Sequence, residues 1–217
     1  MDWIHIILFG VAILIALLCA AAIRTSSRFR RAKASRLAED LEMELLASDN
    51  PNTLIVAGEV NDRASTIRYQ HENSSLDLLR MGLAKKPAST QEELLVSVEC
   101  ACGVDFKIEK SDQQRNAGVD HISVALLNSS GLALASKDKE KAAFIFEEPE
   151  TAQSLIDLFN RSGACSLSVC ENKVSALIYE ESDAGRAPAK VAEILESLDR
   201  FARLLEFVSE EHHAVEN

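Results

Sequence analysis

The sequence predicts an α+β protein carried behind a membrane-spanning helix, and three observations predict it. Residues 3–23, WIHIILFGVAILIALLCAAAI, contain a single polar side chain, His5. Six bases and no acid occupy residues 24–36. Beyond residue 50, strand-like segments come in blocks broken by one well-capped helix and closed by another, without strict strand–helix–strand alternation. That block order favours an antiparallel sheet over a parallel one.

The apolar run is read first. As a helix its 21 residues extend roughly 31 Å, the thickness of a bilayer hydrocarbon core. A buried helix of a water-soluble fold would show a polar face, and this run has none. A cleaved signal would have a basic start, a shorter apolar run and a small-residue cleavage site. Here Met1-Asp2 precedes the run, and Leu18 sits before Cys19 where a lipoprotein signal needs a small residue. Arg24, Arg28, Arg30, Arg31, Lys33 and Arg36 hold their flank on the cytoplasmic side. The expectation is an uncleaved anchor at 1–24 in the inner (plasma) membrane, N-terminus outside, with residues 3–23 in contact with lipid. The same bases attract anionic lipid heads.

A stalk over 25–50 and a cytoplasmic domain over 51–217 are expected next. Residues 27–47 have no Gly or Pro and space Ala34, Leu37, Leu41 and Leu45 three and four apart, a helical period. SDNP at 48–51 stops that helix. TLIVAGEV (53–60) and STIRYQ (65–70) flank NDR and predict a hairpin. Residues 74–87 read as a short helix or an irregular excursion. LLVSVEC (94–100) and VDFKIEK (104–110) flank Gly103 and predict a second hairpin. The stretch 111–120 reads as a polar loop. HISVALLN (121–128), GLALASK (131–137) and AAFIFEE (142–148) predict three further strands.

Residues 149–163, PETAQSLIDLFNRSG, predict a helix, with Pro149 at its start and Gly163 where a C-terminal cap belongs. CSLSVCE and VSALIYEE (165–181) predict a hairpin across Asn172-Lys173. After a linker at 182–188 comes a helix of about 20 residues. Val191, Ile194, Leu198, Phe201, Leu205 and Val208 repeat at heptad spacing, widened by Leu195, Ala202 and Leu204. So wide a stripe is expected to dock inside its own domain, with a partner or self-association helix as the rival.

Charge limits the partners. The chain holds 34 acids and 23 bases. Beyond residue 36 there remain 33 acids against 17 bases, a charge of −16. Such a domain is repelled by anionic lipid and by nucleic acid, so nucleic-acid binding is not expected.

Four cysteines lie outside the apolar run: Cys100, Cys102, Cys165 and Cys170. In a cytoplasmic domain they are expected as reduced thiols. Their spacings, two and five, fit poorly to the close pairs of a four-thiolate zinc site. A thiol or metal sensor using these four is the alternative reading. The histidines are scattered, and phosphate-cradling glycine motifs and serine-nucleophile elbows are absent. Glu147, Glu148 and Glu150 suit the positive end of the helix they precede better than paired-carboxylate catalysis. No enzyme and no cofactor are expected.

Residues 136–177, SKDKEKAAFIFEEPETAQSLIDLFNRSGACSLSVCENKVSAL, carry a pattern of strand, helix over a "PE" start, and hairpin. This resembles uncharacterised single-pass bacterial membrane proteins with a stalk and a β-rich cytoplasmic domain. The resemblance implies no catalytic residue. The functional expectation is a membrane-tethered binding or scaffold module. Its contacts are expected at an unpaired sheet edge and on the last helix around Arg200, Arg203 and Glu206.

Overall fold

Alternation of apolar side chains builds a nine-stranded sheet in which every pairing is antiparallel. The structure is a computed structural model that describes residues 3, 13, 14, 28–50, 53–71, 91–111, 121–181 and 188–216. The expected span at 3–23 lies outside the described residues except for Trp3, Ile13 and Leu14, which are helical and exposed. Among the described residues no helix is long and apolar enough to cross a membrane. The segments expected at 74–87 and 182–187, and nearly all of 111–120, also lie outside the described residues.

A helix over 28–40 (α1) leads to β1 (Glu44–Leu46), β2 (Thr53–Val60), β3 (Arg63–His71), β4 (Gln91–Glu99), β5 (Phe106–Lys110) and β6 (His121–Ile122). Then come α2 (Ala125–Ser129), β7 (Leu132–Ser136), α3 (Lys139–Glu147) and α4 (Pro149–Ser162). The chain finishes with β8 (Ser166–Cys170), β9 (Lys173–Glu181) and α5 (Pro188–Glu216). The strand order is β1-β2-β3-β4-β9-β8-β5-β7-β6. One apolar row crosses all nine strands: Leu45, Val56, Ile67, Val96, Ala176, Leu167, Ile108, Leu134 and Ile122. All but the half-buried Leu45 are buried.

The described helices share the face that bears this row. Lys33 of α1 lies 5.5 Å from the ring centroid of Tyr69, and Phe146 of α3 meets Phe106 edge-on at 5.0 Å. The Cys100 thiol, which continues the inward alternation of β4, donates to the Ala202 carbonyl of α5. Helix α4 packs on α2, α3 and α5. The described residues therefore form two layers, with helices on one face of a sheet.

Local chemistry explains the elements that match expectation. Asn61-Asp62 and Glu171-Asn172 close two-residue hairpins with φ of 50° and 67°, and of 53° and 59°. Two positive values in succession give the turn whose twist suits antiparallel strands. The second turn sits one residue earlier than Asn172-Lys173. In α4, Pro149 takes the first turn and Gly163, at φ 65°, closes the end by donating its N–H to the Phe159 carbonyl. The α5 seam is buried along its length, and Leu195 and Ala202 widen it as expected. The helix is longer than expected, at 29 residues.

Four expectations are corrected. The stalk over 25–50 is no continuous helix: α1 ends near residue 40, Glu42 turns at φ 55°, and residues 44–46 join the sheet edge. Ala34, Leu37 and Ala38 are buried in the common core, so the helical period marked a docked face. β4 and β5 do not form a hairpin, since β4 pairs with β3 and β9 whereas β5 pairs with β7 and β8. Of residues 121–128 only 121–122 are strand, and Val124 and Leu127 are buried at helical spacing. AAFIFEE lies mainly in α3, where the Asp138 side chain accepts from Lys141 N–H at 3.3 Å and caps the helix. Ala142, Ile145 and Phe146 turn inward and Phe144 outward, whereas a strand would place 142, 144 and 146 on one face.

Candidate functional site

The densest polar cluster among the described residues joins three elements where β2 turns into β3. The turn presents Asn61 and Arg63, the stretch after β4 presents the Ala101 N–H, and α5 presents Asp199, Arg203 and Glu206. Arg63 reaches Glu206 through both terminal nitrogens, at 2.7 and 2.5 Å, and its Nε lies 3.1 Å from Asp199 Oδ1. It also donates to the Glu99 carbonyl at 3.1 Å. Asp199, 2% exposed, accepts from Asn61 Nδ2 at 2.8 Å and from Arg203 Nε at 3.2 Å. Arg203 in turn donates to the Asn61 carbonyl at 3.1 Å, and Ala101 N–H donates to Glu206 Oε1 at 2.7 Å.

Electrostatics follow from this geometry. The hydrogen bond from Arg63 holds the Glu206 carboxyl below the usual carboxylate range, against the opposing effect of partial burial. The Arg63 guanidinium is raised by the same bond and by the charges of Glu206 and Asp199. Every charge in the cluster has a partner, and the cluster fastens α5 to the sheet. It is a clasp.

Cys100 and Cys102 lie beside it, both buried. The Cys100 thiol donates to the Ala202 carbonyl at 3.7 Å and Cys102 to the Val104 carbonyl at 3.6 Å. Ser209 of α5 donates to the Cys102 carbonyl at 2.6 Å. The neighbouring Cys102 thiol, then burial, pushes the Cys100 thiol up, and the neighbouring Cys100 draws Cys102 down to about 7. Burial pushes the Cys165 thiol up.

The four cysteines do not converge. Cys100 N–H donates to the Asn172 carbonyl at 2.8 Å, so it lies near the turn that follows Cys170. Yet Cys170 is exposed on the opposite face of the sheet, and Cys165 lies at the far end of β8. Among the described residues no group of three or more His, Cys, Asp or Glu is placed to hold a metal ion.

The other expected residues are dispersed. Arg28, Arg30, Arg31, Lys33 and Arg36 lie on α1, and Arg24 is outside the described residues. Glu147 ends α3, Glu148 is the turn residue before α4, and Glu150 is in the first turn of α4. Arg203 and Glu206, expected as free contact residues, are committed to the clasp. Arg200 instead lines a groove of ≈ 340 Å³ between α4 and α5, facing Asp157 and Arg161. Asn61, Arg63 and Asp199 had no expected role. An acid inside an apolar stripe, Asp199 beside Leu198, was their one sequence signal.

The face of the sheet away from the helices is the second feature. Its residues run Ala57, Thr66, Ser97, Ser175, Ser168, Lys107 and Ala135 in one row, and Leu46, Ile55, Arg68, Leu95, Leu177, Ser166, Glu109 and Ala133 in the next. Small and hydroxylated side chains fill its centre, with Ser175 Oγ donating to Ser97 Oγ at 2.8 Å.

Comparison with known proteins adds a fold. No family model matches the chain, and no curated protein matches it. The crystal structure of the mycobacterial trehalose monomycolate transport factor A, TtfA, is similar, with a TM-score of 0.53 and 9% identity. The match covers 79% of this chain and 92% of that one. At such identity the likeness shows the fold alone.

Proposed function

We propose that this chain is a single-pass membrane-anchored protein whose acidic domain serves as a binding or scaffold module on the cytoplasmic side. The anchor half of the reading rests on the apolar run at 3–23 and the six bases behind it. The binding half rests on one observation: the described helices share one sheet face, and the other presents half-buried Ile55, Leu95 and Leu177 and exposed Tyr179 and Leu46. A sheet face that sets a row of aliphatic side chains beside a row of small hydroxylated ones, with Arg68, Lys107 and Glu109 around them, suits a protein partner. The expected edge contact is less favoured, because the outermost strands are three and two residues long. The thiol or metal sensor is also less favoured, since its four sulfurs are divided between two faces and two ends of the sheet.

Crosslinking in intact cells tests the reading. The full chain is expected to capture a protein that the anchor piece, residues 1–27, does not. Equal capture by both would refute the binding module. A C-terminal reporter active only outside the cytoplasm would refute the topology.

A further inference from the structure

The binding reading leaves open what occupies the sheet face that no described helix covers. We infer that the occupant is a second copy of this chain, packed face to face about a two-fold axis that runs along β9. This rests on the proposal that the face is a binding surface and names its partner.

The argument starts from strand order. β9 is the fifth of nine strands, with four on either side. An axis along it lays each strand of one copy over its mirror position in the other: β4 over β8, β3 over β5, β2 over β7. Because the axis follows the strand direction, each cross-strand row faces itself. Ser175 then meets Ser175 and Leu177 meets Leu177 at the axis. Ser97 meets Ser168 and Ala57 meets Ala135, so small side chains oppose small ones on both sides.

Charge decides for self-pairing. In the second row Arg68 lies two strands from β9 on one side, and Glu109 lies two strands from it on the other. The two-fold brings Arg68 of each copy onto Glu109 of its partner, twice. Arg68 is exposed, and Glu109 is half-buried and already paired with Lys107 at 2.6 Å, so the contact completes a charge triad. Packed sheets cross at about 30°, which shifts these partners by about 5 Å, within the reach of an arginine.

Area is sufficient. The strands laid over one another share five to nine residues each, falling to two at the edge pair, which gives about 700 Å² per copy, within the range of a standard specific interface. Small central residues allow the two sheets to approach to about 10 Å.

The test uses the full chain in mild detergent, with mass measured by sedimentation equilibrium. A dimer is expected. Arg68→Glu alone and Glu109→Arg alone should each weaken it at least tenfold, and the double exchange should restore it, with circular dichroism confirming the fold. In a Cys170→Ser background, Ser175→Cys should be joined into a covalent dimer by a short bifunctional thiol crosslinker, since Cα atoms about 10 Å apart are too far for a disulfide, while Glu196→Cys on the helical layer should not. A monomer at all concentrations, or a dimer indifferent to both charge changes, overturns the inference. If Ser175→Cys in cells instead traps a different protein, self-pairing falls and the binding reading stands. If nothing is captured beyond the 1–27 piece, both fall.

Discussion

Asp199 shows how one side chain can fix the position of a helix. Its carboxylate is buried in the α5 seam, yet it accepts from Asn61 and Arg203 and forms an ion pair with Arg63, so the charge is compensated. A buried pair of this kind destabilises strongly when one partner is removed, because the other is left uncompensated. Glu206 adds a part that responds to pH. Its folded pKa is depressed, so its contribution is present above the unfolded value of about 4.3 and is lost as pH falls through the lower folded value. Glu206→Gln is therefore expected to cost about 1–2 kcal/mol near pH 7. The gap from wild type should hold down to about pH 5 and shrink on further acidification. Urea unfolding at pH 7 and pH 4 measures it, and a gap that widens in acid would contradict the assignment.

At the scale of elements, α5 and the β1–α1 corner depend on close contact. Phe201 is fully buried in the seam, and Phe201→Ala is expected to cost about 3–5 kcal/mol. Phe207, on the exposed side of the same helix, serves as the control and should cost well under half as much when cut to Ala. Gly58 is the tighter case. A Cβ there would lie 2.5 Å from Met43 Cγ and 3.2 Å from its Cα, so β2 can pass beneath Met43 only with glycine at this position. Gly58→Ala should lower stability by about 1–3 kcal/mol, the usual cost of overpacking. Gly58→Ala combined with Met43→Ala should recover part of that loss. Absence of recovery in thermal unfolding would place the strain elsewhere.

At the scale of the molecule, the sheet is stitched from distant segments. β4 sits between β3 and β9, and β9 comes about 80 residues after β4 in sequence. Their shared ladder runs from Gln91–Glu181 to Glu99–Lys173 under the helical layer, so it should be the last region to open. Hydrogen exchange is expected to be slowest at 94–98 and 174–178 and fastest at 44–46 and 121–122. Faster exchange in β4 than in β1 would show that the helical layer does not protect the sheet centre.

Local chemistry made part of this legible. Pro149 and Gly163 bound α4 in the sequence, the two turns marked their hairpins, and the heptad seam named the buried side of α5. These features rest on hydrogen bonds, φ preferences and periods that span a few residues, and the chain carries them wherever it folds. The apolar run at 3–23 with its basic flank is equally local, so the expected topology follows from residue composition alone. The partners of β4 and β5 were not legible, because each is an alternating strand that would satisfy any antiparallel neighbour. Only the competition to bury Val96, Ala176, Leu167 and Ile108 in one row decided their order. The same holds for α3, whose apolar residues suit strand or helix until the core takes Ala142, Ile145 and Phe146 and leaves Phe144 outside. Arg63 and Asp199 are 136 residues apart in the chain, and no local rule relates them. Their pairing exists only because the sheet brings the β2–β3 turn against α5.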